Sequence, residues 1–241
     1  MDQLEPMPTD WTRALAIAAH PDDLEYGAAA AIAAWTAAGK DVRYLLVTRG
    51  EAGIDSIAPA ECGPLREAEQ IAGAARVGVS VVEFLDHPDG VIEYSLGLRR
   101  DLAAAIRRHQ PELVVLGNPR DFWPGGGWNT PDHRNTGRAA MDAIGDAGNR
   151  WIFADLAEAG SQPWNGVRYV AISGSPEATH AVDITDTFEA GVASLEAHRV
   201  YLDGLGEHPM ADARGFLEWI ASMTAPRFDD KLASSFELIR R

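Results

Sequence analysis

Ala14-Leu15-Ala16-Ile17-Ala18-Ala19-His20-Pro21-Asp22-Asp23 opens as an apolar strand and closes as a polar turn. Pro21 confines His20 to extended backbone, so one imidazole and two carboxylates gather on the exit turn of the strand. An alanine-rich helical stretch follows at residues 27–38 and stops at Gly39. In open α/β sheets, ligands and reacting groups collect at the carboxyl ends of strands. Residues three apart on such a turn can converge on one point. His20 and Asp23 can therefore share a metal and leave Asp22 free beside it. A lone His-x-x-Asp is more often an ordinary strand-to-helix turn with aspartate as the helix cap, so the remaining chain must decide.

Working outward, residues 42–47 form a second, mostly apolar strand, as expected when both faces of a sheet are covered. The loop Thr48-Arg49-Gly50-Glu51-Ala52-Gly53 follows. Pro64 stands where a helix begins, and residues 65–77 continue it to Gly78. Residues 79–85 read as a third strand, ending in the turn His87-Pro88-Asp89-Gly90. Residues 98–109 read as a helix closed by Pro111, and Leu113-Val114-Val115-Leu116 as a fourth strand. This alternation predicts a mostly parallel sheet with right-handed crossovers. The rhythm then breaks. Residues 117–132 carry Pro119, Trp123, Pro124, Gly125-Gly126-Gly127, Trp128 and Pro131 without periodicity. A loop of this length in a compact fold is usually functional, and its tryptophans favour an ordered cover. Beyond it, helices are expected at 136–147, 188–202 and 211–223, strands at 167–172 and 180–184, and a last helix at 228–241.

Composition narrows the classes. The 241 residues suffice for a sizeable core and are read as one domain, 1–241. A formal charge of −15 disfavours nucleic acid and anionic membranes as partners. Cys62 is the only cysteine, which excludes a disulfide framework or a Cys-rich zinc site. No apolar run reaches the roughly 18 residues of a spanning helix. The first residues are acidic where a signal peptide is basic. The expectation is a soluble cytoplasmic protein, with homo-oligomerisation left open. No G-x-S-x-G elbow, Walker A loop or strand-linked G-x-G-x-x-G is present, which disfavours serine hydrolysis and nucleotide binding.

His133 supplies the third candidate ligand. It follows the fourth strand, so it can reach the sheet edge that holds His20 and Asp23. Two imidazoles, one carboxylate and an open position suit a catalytic zinc. Ala-His-Pro-Asp-Asp after a first strand, with a later Pro131-Asp132-His133-Arg134, resembles the PIG-L/LmbE-like family of zinc-dependent N-acetylglucosaminyl deacetylases. The resemblance extends to Thr48–Gly53, the Arg66/Glu69 pair, Pro88-Asp89-Gly90, Val182-Asp183-Ile184-Thr185 and the helix carrying His198.

The resemblance implies a Rossmann-like three-layer α/β fold and removal of an acetyl group from the amide nitrogen of an amino-sugar small molecule. It implies zinc, or ferrous iron, on His20, Asp23 and His133, with Asp22 as general base. Arg66 and Asp89 would hold sugar hydroxyls, and Asp132 would orient an imidazole from behind. The chain departs from the family pattern in one place. Trp128 and Thr130 stand where several relatives carry tyrosine and histidine, and neither titrates usefully near neutral pH. His198 is therefore the expected donor of a proton to the leaving amine, with Asp22 as fallback. Two alternatives stand beside this reading: a sugar-binding protein without turnover, and a metal amidase acting on a larger acyl or thiol-conjugate substrate.

Overall fold

The computed structural model describes residues 2–241. In chain order the elements are β1 (Glu5–Pro6), β2 (Arg13–Ala18), α1 (Asp23–Gly27), α2 (Ala29–Ala37), β3 (Asp41–Leu46), α3 (Pro59–Arg76), β4 (Val82–Phe84), α4 (Leu96–His109), β5 (Leu113–Leu116) and α5 (Pro131–Gly148). They continue with α6 (Ala154–Glu158), β6 (Tyr169–Ser173), β7 (His180–Asp183), α7 (Phe188–Glu196), α8 (Arg199–Gly204), α9 (Ala213–Thr224) and β8 (Ala233–Arg240). The strands form one eight-stranded sheet in the order β1-β7-β8-β6-β5-β2-β3-β4. All pairings are parallel except those of β8, which runs antiparallel to both β6 and β7.

Strand β2 shows why the sheet carries helices on both faces. Ala14, Ala16 and Ala18 join the core under α1, α2, α3, α7 and α9. Leu15 and Ile17 point the other way, into the core under α4 and α5. Alternate residues of a strand leave opposite faces of the sheet, so a continuous apolar run marks a strand covered twice. The small side chains on the first face let helices approach closely. At Gly191 in α7, an added Cβ would lie 2.8 Å from the Ala30 Cβ of α2.

Strand β2 lies between β3 and β5, so successive connections leave it in opposite directions. That is the topological switch point, where open α/β sheets leave a crevice outside the strand ends. The turn with His20 leaves β2 there, and the loop to His133 leaves β5 beside it.

Several elements differ from the sequence reading. The last segment is strand β8, not a helix. Its backbone is paired on both edges and its Phe236 is fully buried, so the sheet decides its conformation. The helix after the first turn is broken at Ala28. Helix α3 starts at Pro59, with Pro64 inside it. Helix α5 begins at Pro131 and is capped by Thr130, so Asp132 and His133 stand in a helical first turn rather than on a loop. The expected helix at 188–202 divides at His198 into α7 and α8.

Candidate active site

The turn after β2 is bent by Asp22, whose φ of 84° and ψ of −26° are left-handed. For a residue other than glycine this conformation costs about 1–2 kcal/mol. It separates the two aspartates. Asp23 folds back, and its Oδ2 accepts the backbone N–H of His20 at 2.9 Å. Asp22 occupies the cap position of α1, yet its side chain caps nothing. Its Oδ2 instead accepts from Arg66 Nη2 at 2.7 Å.

The two histidines have their outward nitrogens occupied. His20 Nε2 lies 3.2 Å from Asp132 Oδ2 and 3.1 Å from Asp89 Oδ1. Carboxylates only accept, so Nε2 carries a proton, and Nδ1 faces Asp23 Oδ2 at 3.5 Å, where a metal would take the place of a second proton. Asp132 is itself held by the backbone N–H groups of Gly90 at 2.7 Å and Ile92 at 3.0 Å. His133 Nδ1 lies 3.0 Å from Asn129 Oδ1. The orientation of that amide follows from its network. Asn129 Nδ2 donates to the carbonyls of Asn118 and Arg120, and its Oδ1 accepts the Thr130 N–H. His133 is thus the donor at Nδ1, and its Nε2 faces Asp23 Oδ1 at 3.0 Å.

A lone pair facing an anionic oxygen at that distance is favourable only with a cation, either a proton or a metal. His20, Asp23 and His133 offer ligand atoms within 4.8 Å of one another. Two imidazole nitrogens and one carboxylate form the donor set of an open divalent site, so the residues fit a metal. His20, Asp89 and Asp132 make a second such group, also within 4.8 Å. There the shared imidazole nitrogen bears a proton and both Asp132 oxygens accept backbone N–H bonds, so the group is a support for the first.

The charges are strongly coupled. Burial works against a charge on His20, but Asp23, Asp132 and Asp89 outweigh it and hold the imidazolium well above its usual range. Burial likewise opposes ionisation of Asp23, yet His133 and His20 keep it well below the ordinary carboxylate value. At Asp22, burial wins and pushes the carboxyl up to about 6 against the Arg66 guanidinium. Tyr201 also favours the charged form of Asp22, and its ring lies 4.2 Å from the Arg66 guanidinium carbon.

Three expected roles change on these positions. Arg66 is only 2% exposed; besides Asp22 it binds the Pro21 carbonyl at 2.5 Å, so it braces the turn instead of facing a sugar. Asp89 has both oxygens engaged, one toward His20 and the other on the Ala52 N–H at 2.8 Å, and it ties the 48–53 loop to the site. His198 is 0% exposed, and Glu25 Oε2, 3.6 Å from its Nε2, belongs to an equally buried side chain. Burial pushes the imidazole down to about 3, so it stays neutral and has no path to a substrate. Asp132 keeps its Oδ2 3.2 Å from His20 Nε2.

The sequence reading missed Asn129, Gln70, Glu25 and Tyr201. Gln70 and Arg66 are four apart on α3, the spacing of one helical face, and that was a usable signal. Asn129 lies four residues before His133, but across a cap, where no periodicity applies. The loop before it is a hairpin closed by a Phe122–Trp128 bridge, with Gly125 and Gly126 at φ of 86° and 92°. Trp123 meets the His133 ring edge-to-face at 5.5 Å. Trp128 and Phe122 are 63% and 50% exposed and pack on each other at 5.2 Å.

Residues 15–144 match the family model described as PIG-L, GlcNAc-PI de-N-acetylase. The chain is 30% identical over 195 residues to a diacetylchitobiose deacetylase from Thermococcus kodakarensis, spanning 78% of this chain and 70% of the relative. It is 31% identical over 191 residues to a 1D-myo-inositol 2-acetamido-2-deoxy-alpha-D-glucopyranoside deacetylase from Kineococcus radiotolerans, spanning 63% of this chain and 49% of that one. The fold matches the crystal structure of N,N'-diacetylchitobiose deacetylase from Pyrococcus horikoshii with a TM-score of 0.86 and 26% identity. That match covers 96% of this chain and 85% of the other.

Proposed function

The chain belongs to the PIG-L family of de-N-acetylases, and from that premise we propose that His20, Asp23, His133 and Asp22 hydrolyse the acetamide of an N-acetylglucosamine-type small molecule. The observation that carries the assignment is the placing of the two imidazoles. Asp132 and Asn129 each occupy one imidazole nitrogen, and the two remaining nitrogens converge on Asp23 beside a carboxylate not used in capping.

A divalent ion on those three residues supplies Lewis acidity, lowering the pKa of a water from 15.7 to about 7 and polarising a carbonyl. We assign zinc, which suits two imidazoles and one carboxylate. The remaining work falls to the chain. Asp22, ionised above about pH 6, accepts a proton from the attacking water. Arg66 holds that carboxylate in one direction. An amide anion is a very poor leaving group, so the nitrogen must be protonated as the C–N bond breaks. Asp22 gains a proton in the attack and lies in the site, so it returns that proton to nitrogen; His198 is sealed from it. Trp123 walls the site against His133. The exposed Trp128 and Phe122 offer rigid apolar area at the rim for the part of the substrate that does not react.

The test is acetate release from a panel of N-acetylglucosaminides, with N,N'-diacetylchitobiose included, by zinc-reconstituted protein. Stoichiometric acetate and free amine that disappear on chelation are expected. Sugar binding without acetate would favour a binding protein instead.

A further inference from the structure

Two side chains of α3 grip the catalytic turn, and only one grips the reactive carboxylate. Arg66 holds the Asp22 side chain, while Gln70, four residues on, holds the Asp22 backbone. Gln70 Oε1 accepts the Asp22 N–H at 3.0 Å. Its Nε2 donates to Glu25 Oε1 at 2.8 Å. Gln70 is completely buried, and the amide has one orientation, because the backbone N–H can only donate. Ser194 Oγ lies 3.4 Å from the same Glu25 oxygen and donates to the Gly73 carbonyl at 2.8 Å, which ties the support to α7 and α3.

We propose that Gln70 is a positioning residue for the deacetylation, holding Asp22 in the left-handed conformation that keeps its carboxylate off the helix cap. An aspartate at a helix N-cap ordinarily bonds the backbone N–H groups of the first turn. Asp22 does so only if its φ relaxes to negative values. The buried bond from its N–H to Gln70 opposes that relaxation, since breaking it leaves a donor unpaired. Glu25, two positions after Asp23, anchors the far end of the amide and prevents it from rotating. The inference rests on the assignment of Asp22 as the base.

The test compares three zinc-loaded proteins: the parent, Gln70→Met, and the exchange Glu25→Gln/Gln70→Glu. Methionine keeps volume and removes both hydrogen bonds. In the exchange, the glutamine at 25 donates to the carboxylate at 70, which still accepts the Asp22 N–H. With N,N'-diacetylchitobiose, Gln70→Met should lower kcat about 10²-fold, the effect of a misplaced catalytic group, with KM and zinc content unchanged. Hydrogen exchange at the Asp22 amide should accelerate in Gln70→Met, and the exchanged pair should recover most of both losses. A packing role alone would leave all of these readouts at parental values. Parental kcat or undiminished Asp22 protection in Gln70→Met overturns the proposal, as does an exchanged pair as slow as Gln70→Met. The amide exchange is read on the protein alone, so it decides the positioning even if no acetate is released and the proposed function fails.

Discussion

At Asp22, burial and an ion pair act in opposite directions, and the balance leaves a base that can carry a proton briefly. A carboxylate near its ordinary value would be weakly basic; one pushed up to about 6 can take up and release a proton near neutral pH, as the proposed role requires. Asp22→Asn should keep the metal and lower kcat by 10²–10⁴-fold, because only proton transfer is lost. Metal analysis beside steady-state kinetics checks this, and a rate within a few-fold of the parent would remove Asp22 from the role. His198 is the opposite case. Its imidazole is held neutral by burial, with a native value depressed to about 3 from an ordinary 6.5. A depressed native value gives stability that is present above the unfolded pKa and lost as pH falls below it. Between pH 6.5 and about 3 the parent should therefore lose up to about 1.4 kcal/mol per pH unit from this residue. His198→Asn should flatten that slope in urea titrations and leave the pH–rate profile unchanged. Loss of the alkaline limb in that variant would restore His198 as the donor.

At the scale of elements, the hairpin at 119–130 and the first turn of α5 act as one device. The hairpin brings Asn129 under the helix, the helix cap at Thr130 presents His133, and Asn129 fixes its tautomer. Asn129→Ala should weaken zinc binding 10–100-fold, the usual effect of removing the partner behind a ligating imidazole. Competition titration with a chelator measures it, and an unchanged affinity would mean the amide only closes the hairpin. This device was half legible in the sequence. Pro131 after Thr130 is a strong helix-start signal, but Asn129 precedes the cap and no sequence periodicity ties it to His133. Arg66 and Asp89 illustrate a different limit. Burial decides whether a polar side chain meets substrate or protein, and burial is a tertiary property. The turn His20-Pro21-Asp22-Asp23 was legible because Pro21 and the apolar run before it constrain the backbone locally.

For the whole molecule, the strand–helix alternation through residue 116 was readable because parallel strands buried on both faces are continuous apolar runs. The C-terminal strand was not. Ser234-Ser235 interrupts its pattern, and its conformation comes from the slot between β6 and β7. This strand closes the sheet on the side that carries Phe236 into the core beside Trp35, their rings 5.7 Å apart. Phe236→Ala should cost about 3–5 kcal/mol in denaturant unfolding, the range for a buried aromatic deletion. A loss under 1 kcal/mol would place the segment outside the folded core. Among the described residues no helix is long and apolar enough to cross a membrane.

The sheet order sets β2 and β5 side by side, and in the proposed function their exit segments share one metal through His20 Nδ1, Asp23 and His133 Nε2. Anomalous diffraction at the zinc edge from zinc-reconstituted crystals tests it most directly. One peak is expected, at about 2.0–2.2 Å from those three ligand atoms. A peak on His20 Nε2 between Asp89 and Asp132, or no peak at either group, would contradict it.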